Sequence, residues 1–307
     1  SRVNNIYIDS VALSTPVLRK GANITINVHV KNTGDAEVEK LPIKLLIDGK
    51  QRAIASADIA ANSQEVVPLN FTIEETGNLN AKIVTNDYPI IYDDEFYFSL
   101  NVSDNIKVLS VNGNAENKYL DILFGNDSAF VYENISDKTI DFDKISDYDF
   151  IILNELKTIP SALVQTLCSY VESRGSILII PAENADLESY KYASMILKTP
   201  QMMSFAERAS EATYINVEHR LYDGVFEKKT DDISALKVFK YYVTKKDANT
   251  VSESLITLAN GDDFLTVTPL GKGCVYAFAT ALKTSHTDFV KQAMFVPTLY
   301  NMALYSV

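Results

Sequence analysis

The sequence predicts two domains, a β-sandwich followed by a three-layer α/β domain with a mainly parallel sheet. Apolar and polar residues alternate along segments of the first hundred positions, which is the period-two pattern of half-buried strands. After a polar break at 103–105 the apolar residues form continuous runs instead, and these runs alternate with helical patterns. The length of 307 residues fits two domains at roughly 150 residues each.

Residues 1–103 are predicted to form about seven short strands of an immunoglobulin-type sandwich. The alternation is clearest over 24–30, where isoleucine and valine alternate with Thr25, Asn27 and His29. Asp48-Gly49 lies between two such runs and is a strong hairpin signal. The chain has no tryptophan, so the Cys…Trp…Cys pattern of antibody domains is missing and we do not expect an antibody-type domain.

Residues 104–307 are predicted to form a doubly wound α/β domain. Continuous apolar strands are expected at 106–111, 150–153 and 177–180. Helices are expected at 119–124, 160–174 and 187–198. Further strands are expected near 213–218, 237–243, 254–259, 263–269 and 273–279, with hairpin turns at Gly261-Asp262 and 271–273. A last helix is expected to begin near Thr287 and to be kinked by Pro297.

The predicted last helix is apolar on nearly all of its faces. It is therefore either buried against the sheet or leads toward a membrane segment. No run of about 18 apolar residues occurs, so the stretch does not itself span a membrane. The chain begins at Ser1 and shows no signal peptide, so we expect a piece of a longer protein with targeting segments outside it. A processed mature protein is the alternative.

Composition excludes several classes of function. A net charge of −12 without a basic patch argues against nucleic-acid binding, because that binding depends on cations that neutralise phosphates. Only 11 glycines are present, so a glycine-rich phosphate loop is not expected, and we predict no cofactor. Acidic clusters at 93–95, 147–149 and 231–232 do not follow the spacing of a calcium loop, so we predict no metal site.

Polar residues follow the predicted parallel strands and should meet at the carboxyl end of the sheet, where ligands bind in open α/β folds. A vestigial cleft without a ligand is the alternative. His286 and Asp288 are close in sequence, but a triad is defined by geometry, and we assign no catalytic residue. The candidate cleft residues are Asn112, Asn114, Asn154, Glu155, Glu183, Asn184 and His219.

The order of strand 148–153, helix 161–174, Gly175 and strand 177–180 resembles class I glutamine amidotransferase-like domains. The resemblance implies a flavodoxin-like three-layer fold with a nucleophilic cysteine in a sharp turn after the last of these strands. The sequence there reads Pro181-Ala182-Glu183, without cysteine or serine. The resemblance therefore implies a catalytically degenerate domain that does not transfer acyl groups by the family's mechanism.

The segments 219–226, 271–280 and 295–300 resemble the periplasmic portion of bacterial membrane proteins related to the aerotolerance (Bat) operon proteins. The run Val30-Lys31-Asn32-Thr33-Gly34, together with Asp48-Gly49, resembles the adhesion-related immunoglobulin-like domain of bacterial surface proteins. These resemblances imply a periplasmic or cell-surface region, anchored to the membrane by segments outside this chain. They imply other envelope or membrane proteins as partners.

We therefore expect a non-catalytic interaction or scaffold region of a membrane-anchored bacterial envelope protein. One alternative is a hydrolase or ligand-binding protein that uses Glu155, Glu183 or His219 in the cleft. Another is a glycan-binding module, in which the 17 tyrosines would supply stacking platforms, although tryptophan, the stronger platform, is missing.

Overall fold

The computed structural model of the protein describes residues 6–14, 18–85, 95–223, 225, 236–247 and 251–306. The chain forms two compact units, Ser1–Asn105 and Ile106–Val307. Of the predicted acidic clusters, 231–232 lies outside the described residues, and so do residues 93 and 94 of the cluster 93–95. Residues 224 and 226 of the segment 219–226 also lie outside them.

The first unit is a sandwich of two sheets. Its strands are β1 (Ile6–Leu13), β2 (Leu18–Arg19), β3 (Asn23–Asn32), β4 (Val38–Ile47), β5 (Lys50–Ile59), β6 (Gln64–Thr72), β7 (Gly77–Thr85) and β8 (Glu95–Ser103). One sheet has the order β1-β3-β6 and the other β2-β8-β7-β4-β5. Neighbouring strands are antiparallel, except that the short β2 runs parallel to β8.

The period-two pattern builds the core of this sandwich. In β3 the side chains of Ile24, Ile26, Val28 and Val30 are at most 1% exposed, and the residues between them face outward. Because successive side chains in a strand point to opposite faces, one row from each sheet packs inside. The predicted alternation is confirmed here.

A tight turn joins β4 to β5. Asp48 and Gly49 have φ values of 46° and 79°, which are the positive values that a two-residue hairpin turn requires. Ile47 pairs directly with Lys50 across this turn. The predicted hairpin at Asp48-Gly49 is confirmed.

The second unit is an α/β fold. Its elements are β9 (Ile106–Asn112), α1 (Lys118–Gly125), β10 (Phe130–Ser136), β11 (Phe150–Asn154), α2 (Ser161–Ser173), β12 (Ser176–Ile180), α3 (Leu187–Leu197), β13 (Gln201–Ala206), β14 (Ser210–Ile215), β15 (Lys237–Val238), β16 (Tyr241–Lys245), β17 (Glu253–Leu258), β18 (Asp263–Leu270), β19 (Gly273–Phe278) and α4 (Phe295–Leu304). Strands β13 and β16 form a separate two-stranded sheet.

The main sheet of the second unit is mixed, so the prediction of a mainly parallel sheet is not confirmed. Its order is β10-β9-β11-β12-β19-β18-β17-β14-β15. The first five strands are mutually parallel and the remaining pairs are antiparallel. The physical reason is the short turns at Gly261 and Gly271, since parallel neighbours need a long crossover and hairpin neighbours must be antiparallel.

The last helix differs from its prediction. The hydroxyl of Thr287 accepts a hydrogen bond from the Phe289 N–H at 3.1 Å. The element that follows this contact is only a short 3₁₀ turn over Phe289–Lys291. The helix itself, α4, begins at Phe295. Pro297 then lies in the first turn, where no N–H donor is needed, so it does not kink the helix.

Helix α4 is buried in the second unit. Phe295, Leu299, Met302 and Ala303 are at most 4% exposed and belong to the larger of the two apolar cores beside the sheet. The sequence left two explanations for the apolar character of this helix, burial against the sheet or a lead toward a membrane segment. Burial accounts for these four side chains. Within the described part of the chain, no helix is long and apolar enough to cross a membrane.

Candidate functional site

The order β10-β9-β11-β12-β19 fixes where a ligand site is expected. The chain leaves β9 toward β10 on one side and later passes from β11 toward β12 on the other. The carboxyl ends of β9 and β11 are therefore the topological switch point, which is the usual ligand position in doubly wound sheets. These strands end at Asn112 and Asn154.

The side chains of Asn112 and Asn154 meet at this switch point. The Asn154 Nδ2 donates to the Asn112 Oδ1 at 2.8 Å, and the Asn112 Nδ2 donates to the Asn134 Oδ1 at 3.0 Å. Asn134 in turn donates to Asp121 on α1 at 2.9 Å. Asn112 and Asn154 are 6% and 1% exposed, so this amide chain is buried at the carboxyl ends of β9 and β11.

The crevice between β9 and β11 is closed by backbone contact. The Gly113 N–H donates to the Asn154 carbonyl at 3.0 Å. A Cβ atom on Gly113 would lie only 2.2 Å from the carbonyl oxygen of Glu155. Glycine is therefore required here for the close approach of the two loops.

An open pocket of about 160 Å³ lies beside the closed crevice and brings two predicted residues together, Asn114 and Glu155. Glu155 has a φ of 53°, and its N–H donates to the Ile180 carbonyl at 2.8 Å. Its carboxylate is largely buried and is paired with the Lys283 ammonium. The pocket is lined by Asn114, Ala115, Glu116, Asn117, Lys118, Tyr119, Glu155, Leu282 and Lys283.

A second charged cluster surrounds Glu183, just after β12. The Lys240 Nζ lies 2.8 Å from one carboxylate oxygen of Glu183 and 3.5 Å from Glu207. The His286 Nε2 lies 3.4 Å from the other oxygen of Glu183. The hydrogen bond from Lys240 lowers the pKa of Glu183, with smaller lowering effects from His286 and Lys283. Glu183 is therefore ionised at neutral pH.

Tyr242 holds the turn that carries Glu183. Its hydroxyl lies 2.9 Å from the carbonyl oxygens of both Ala182 and Glu183, and it accepts a hydrogen bond from the Ala185 N–H at 3.0 Å. Burial raises the pKa of this phenol, so it remains protonated. Asn184, the predicted residue within this turn, is exposed.

His219 does not belong to this site, so its assignment to the cleft is corrected. Its Nδ1 accepts from the Leu221 N–H at 3.2 Å and caps the 3₁₀ turn at Arg220–Tyr222. The neighbouring Arg220 reaches the Cys274 sulfur at 3.9 Å, at the start of β19. That is the amino end of a parallel strand, opposite the carboxyl ends where the cleft lies.

Three further residues at the site were not assigned to it from the sequence: Lys240, Lys283 and His286. Lys283 and His286 follow β19, and the strand predicted at 273–279 was sufficient to place both residues after a strand end. Lys240 precedes β16, and no pattern in the sequence around it indicates a role in a site. Within the described ranges, no group of three or more His, Cys, Asp or Glu side chains is arranged to hold a metal ion.

Comparison with known proteins identifies the first unit. The CARDB family profile matches residues 4–93, and the amino-terminal unit therefore carries a CARDB domain, an adhesion-related immunoglobulin-like class found in cell-surface proteins. The CARDB domain of PF1109 from Pyrococcus furiosus, solved in complex with di-metal ions, shares 15% identity and has a TM-score of 0.30. That match covers 33% of this chain and 90% of the other.

Two solved structures are similar over a larger share of the chain. A ThuA-like protein from Bacteroides uniformis has a TM-score of 0.47 at 14% identity, covering 66% of this chain and 91% of the other. The cytoplasmic protein STM1381 from Salmonella typhimurium has a TM-score of 0.49 at 15% identity, covering 65% and 98%. With TM-scores below 0.5, these likenesses carry no conclusion about activity. No curated protein matches the chain.

Proposed function

We propose that this chain is the extracytoplasmic part of a membrane-anchored bacterial envelope protein and serves as an interaction module. The observation that supports this most is the CARDB domain at residues 4–93, because that class of domain belongs to cell-surface proteins. Segments outside this chain would supply the membrane anchor. The partners would be other envelope or membrane proteins.

The α/β unit would take part through the carboxyl end of its sheet and not through amidotransferase chemistry. The position after β12 holds Pro181, Ala182 and Glu183, and Ala182 is 1% exposed. None of these side chains is a thiol or hydroxyl nucleophile. The charged groups here, Glu183, Lys240 and Glu207, instead offer a partner paired charges on a partly exposed surface.

Such a surface suits a partner of mixed charge. Ion pairs between exposed side chains contribute only about 0–1 kcal/mol, so a partner can exchange them for its own at little cost. Charge complementarity of this kind contributes mainly to specificity and association rate. The exposed residue nearest to this cluster on its turn is Asn184.

Site-specific photo-crosslinking in living cells tests the proposal. A photo-reactive amino acid replaces Asn184 in the full-length protein, and a matched control replaces the exposed Lys272 in the hairpin at the opposite end of the sheet. We expect a discrete adduct of fixed mass from position 184 and none from position 272. An absence of adducts at position 184, or equal adducts at both positions, would contradict an interaction through this surface.

A further inference from the structure

A chain of contacts links an exposed serine to a carboxylate through a buried histidine. The Ser285 Oγ lies 2.9 Å from the His286 Nδ1. On the other side of the imidazole, the His286 Nε2 lies 3.4 Å from the Glu183 Oε2. His286 is 2% exposed, whereas Ser285 is exposed.

The arrangement selects one tautomer of the imidazole. The Nε2 atom lies 3.4 Å from the Glu183 carboxylate and makes no hydrogen bond to a described residue. The nearby negative charge favours a proton on Nε2. The Nδ1 atom is then an acceptor for the Ser285 hydroxyl. Burial lowers the pKa of His286, and this effect outweighs the raising effect of Glu183, so the ring is neutral at pH 7. A neutral imidazole with a free acceptor nitrogen is the state that a general base needs.

We propose that Ser285 is a nucleophile for carboxylic esters, with His286 as its general base and Glu183 as the residue that positions His286. The Ser285 Oγ would form a bond to the ester carbonyl carbon while its proton passes to the His286 Nδ1. The bond to the leaving alkoxide would then break, and His286 would return the proton to it as an alcohol. Water, activated by the same histidine, would hydrolyse the acyl-serine to the free acid and restore Ser285.

The turn that carries Ser285 also offers donors for an oxyanion. The His286 N–H donates to the Lys283 carbonyl at 2.9 Å and closes a turn with Thr284 and Ser285 at its centre. The N–H groups of these two central residues have no hydrogen-bond partner within the described part of the chain. Backbone N–H groups beside a nucleophile are the usual donors that stabilise a tetrahedral intermediate.

Ser285 is exposed, so an ester can reach its hydroxyl from solvent. An activated ester with a small acyl group, such as an acetyl ester, is therefore a suitable substrate for the first test. This activity goes beyond the proposed interaction role and does not depend on it.

Labelling with a fluorophosphonate probe, followed by peptide mapping, tests this inference on the intact chain. The test variant is Ser285→Ala, and the matched control is Ser204→Ala, an exposed serine on β13. We expect wild type and Ser204→Ala to be labelled at Ser285, and the labelling rate of Ser285→Ala to fall at least 100-fold. Failure of wild type to label, or labelling at another residue, would overturn the proposal.

The role of Glu183 needs a readout that a purely structural role would not change. Hydrolysis of p-nitrophenyl acetate is followed against pH for wild type and Glu183→Gln. Wild type should gain rate as His286 loses its proton, with a midpoint below the ordinary imidazole pKa of about 6.5. Loss of the carboxylate should move this midpoint to still lower pH and reduce the rate several-fold. An unchanged pH profile would contradict the positioning role.

Discussion

Asn112 and Asn154 join the ends of two neighbouring parallel strands through a side-chain hydrogen bond of 2.8 Å. Asn154 also donates to the Ala115 carbonyl at 3.2 Å, which ties the loop after β9 to the end of β11. Buried amides are costly unless they are hydrogen-bonded, so this pair is stable only as a connected network. The network holds the loop after β9 against the end of β11.

Replacement of Asn154 by alanine should destabilise the second unit by about 1–3 kcal/mol, because buried partners on Asn112 and Ala115 lose their donor. The free energy of unfolding is measured by urea denaturation followed by circular dichroism. Asn114→Ala, an exposed change in the neighbouring loop, is the control and should stay within about 0.5 kcal/mol of wild type. If Asn154→Ala also lowered the free energy of unfolding by no more than about 0.5 kcal/mol, the result would contradict the stabilising role of the network.

Gly113→Ala should also destabilise the second unit, by about 1–3 kcal/mol, since the added methyl group would clash with the Glu155 backbone. The matched control is Gly125→Ala, where the nearest atom to a new Cβ lies 3.8 Å away on Tyr132. Thermal unfolding of both variants checks the difference. Equal melting temperatures would show that the two loops do not approach as closely as described.

Tyr242→Phe should loosen the turn that carries Glu183 without unfolding the unit. One phenolic hydroxyl is lost, and the expected cost is about 1 kcal/mol. Hydrogen exchange at the Ala185 amide is the direct readout, because that N–H loses its 3.0 Å bond to the phenolic oxygen and keeps only the Ala182 carbonyl at 3.2 Å. Exchange there should accelerate, whereas the exposed control Tyr214→Phe should leave it unchanged. Unaltered protection at Ala185 in Tyr242→Phe would contradict this role.

The stability of the second unit should fall as pH decreases below about 6.5, the ordinary pKa of an imidazole. Burial lowers the pKa values of His286 and His219 in the folded chain. Between each lowered value and about 6.5, the unfolded state binds more protons, so acidification favours unfolding. The charged groups near His286 are Glu183, Lys283, Lys240 and Glu155.

Urea denaturation at several pH values checks this dependence. His286→Asn should reduce the slope of unfolding free energy against pH in that window, and His219→Asn should remove a separate part. The slope is compared and not the absolute stability, since each substitution also changes packing. A slope in His286→Asn equal to that of wild type would contradict the burial of a neutral His286.

Local patterns predict most of the strands and helices because each depends on side chains close in sequence. The alternation at 24–30 predicts β3, and Gly175 marks the end of α2, since a Cβ there would clash with the Tyr170 ring. Two strands of the second unit gave no clear pattern. Strand β10 is an edge strand with only one buried residue, Phe130, and β13 pairs in a small separate sheet with no buried residue.

The site was harder to predict because it depends on contacts between distant segments. Asn114 and Glu155 follow strands β9 and β11, so the predicted strand ends were sufficient to place them. The partners of Glu183 come from 57 and 103 residues away, which no local spacing reveals. His219 follows β14, an antiparallel strand, so the rule that residues after a strand reach the carboxyl edge of parallel strands does not apply to it.

The measurement that tests the central claim most directly is fractionation of the native protein with an antibody against this chain. An extracytoplasmic part of a membrane-anchored protein should be detected in the membrane fraction, in a species well above 34.1 kDa, and accessible to protease from outside the inner membrane. A soluble species of 34.1 kDa in the cytoplasmic fraction would contradict the membrane-anchored envelope role.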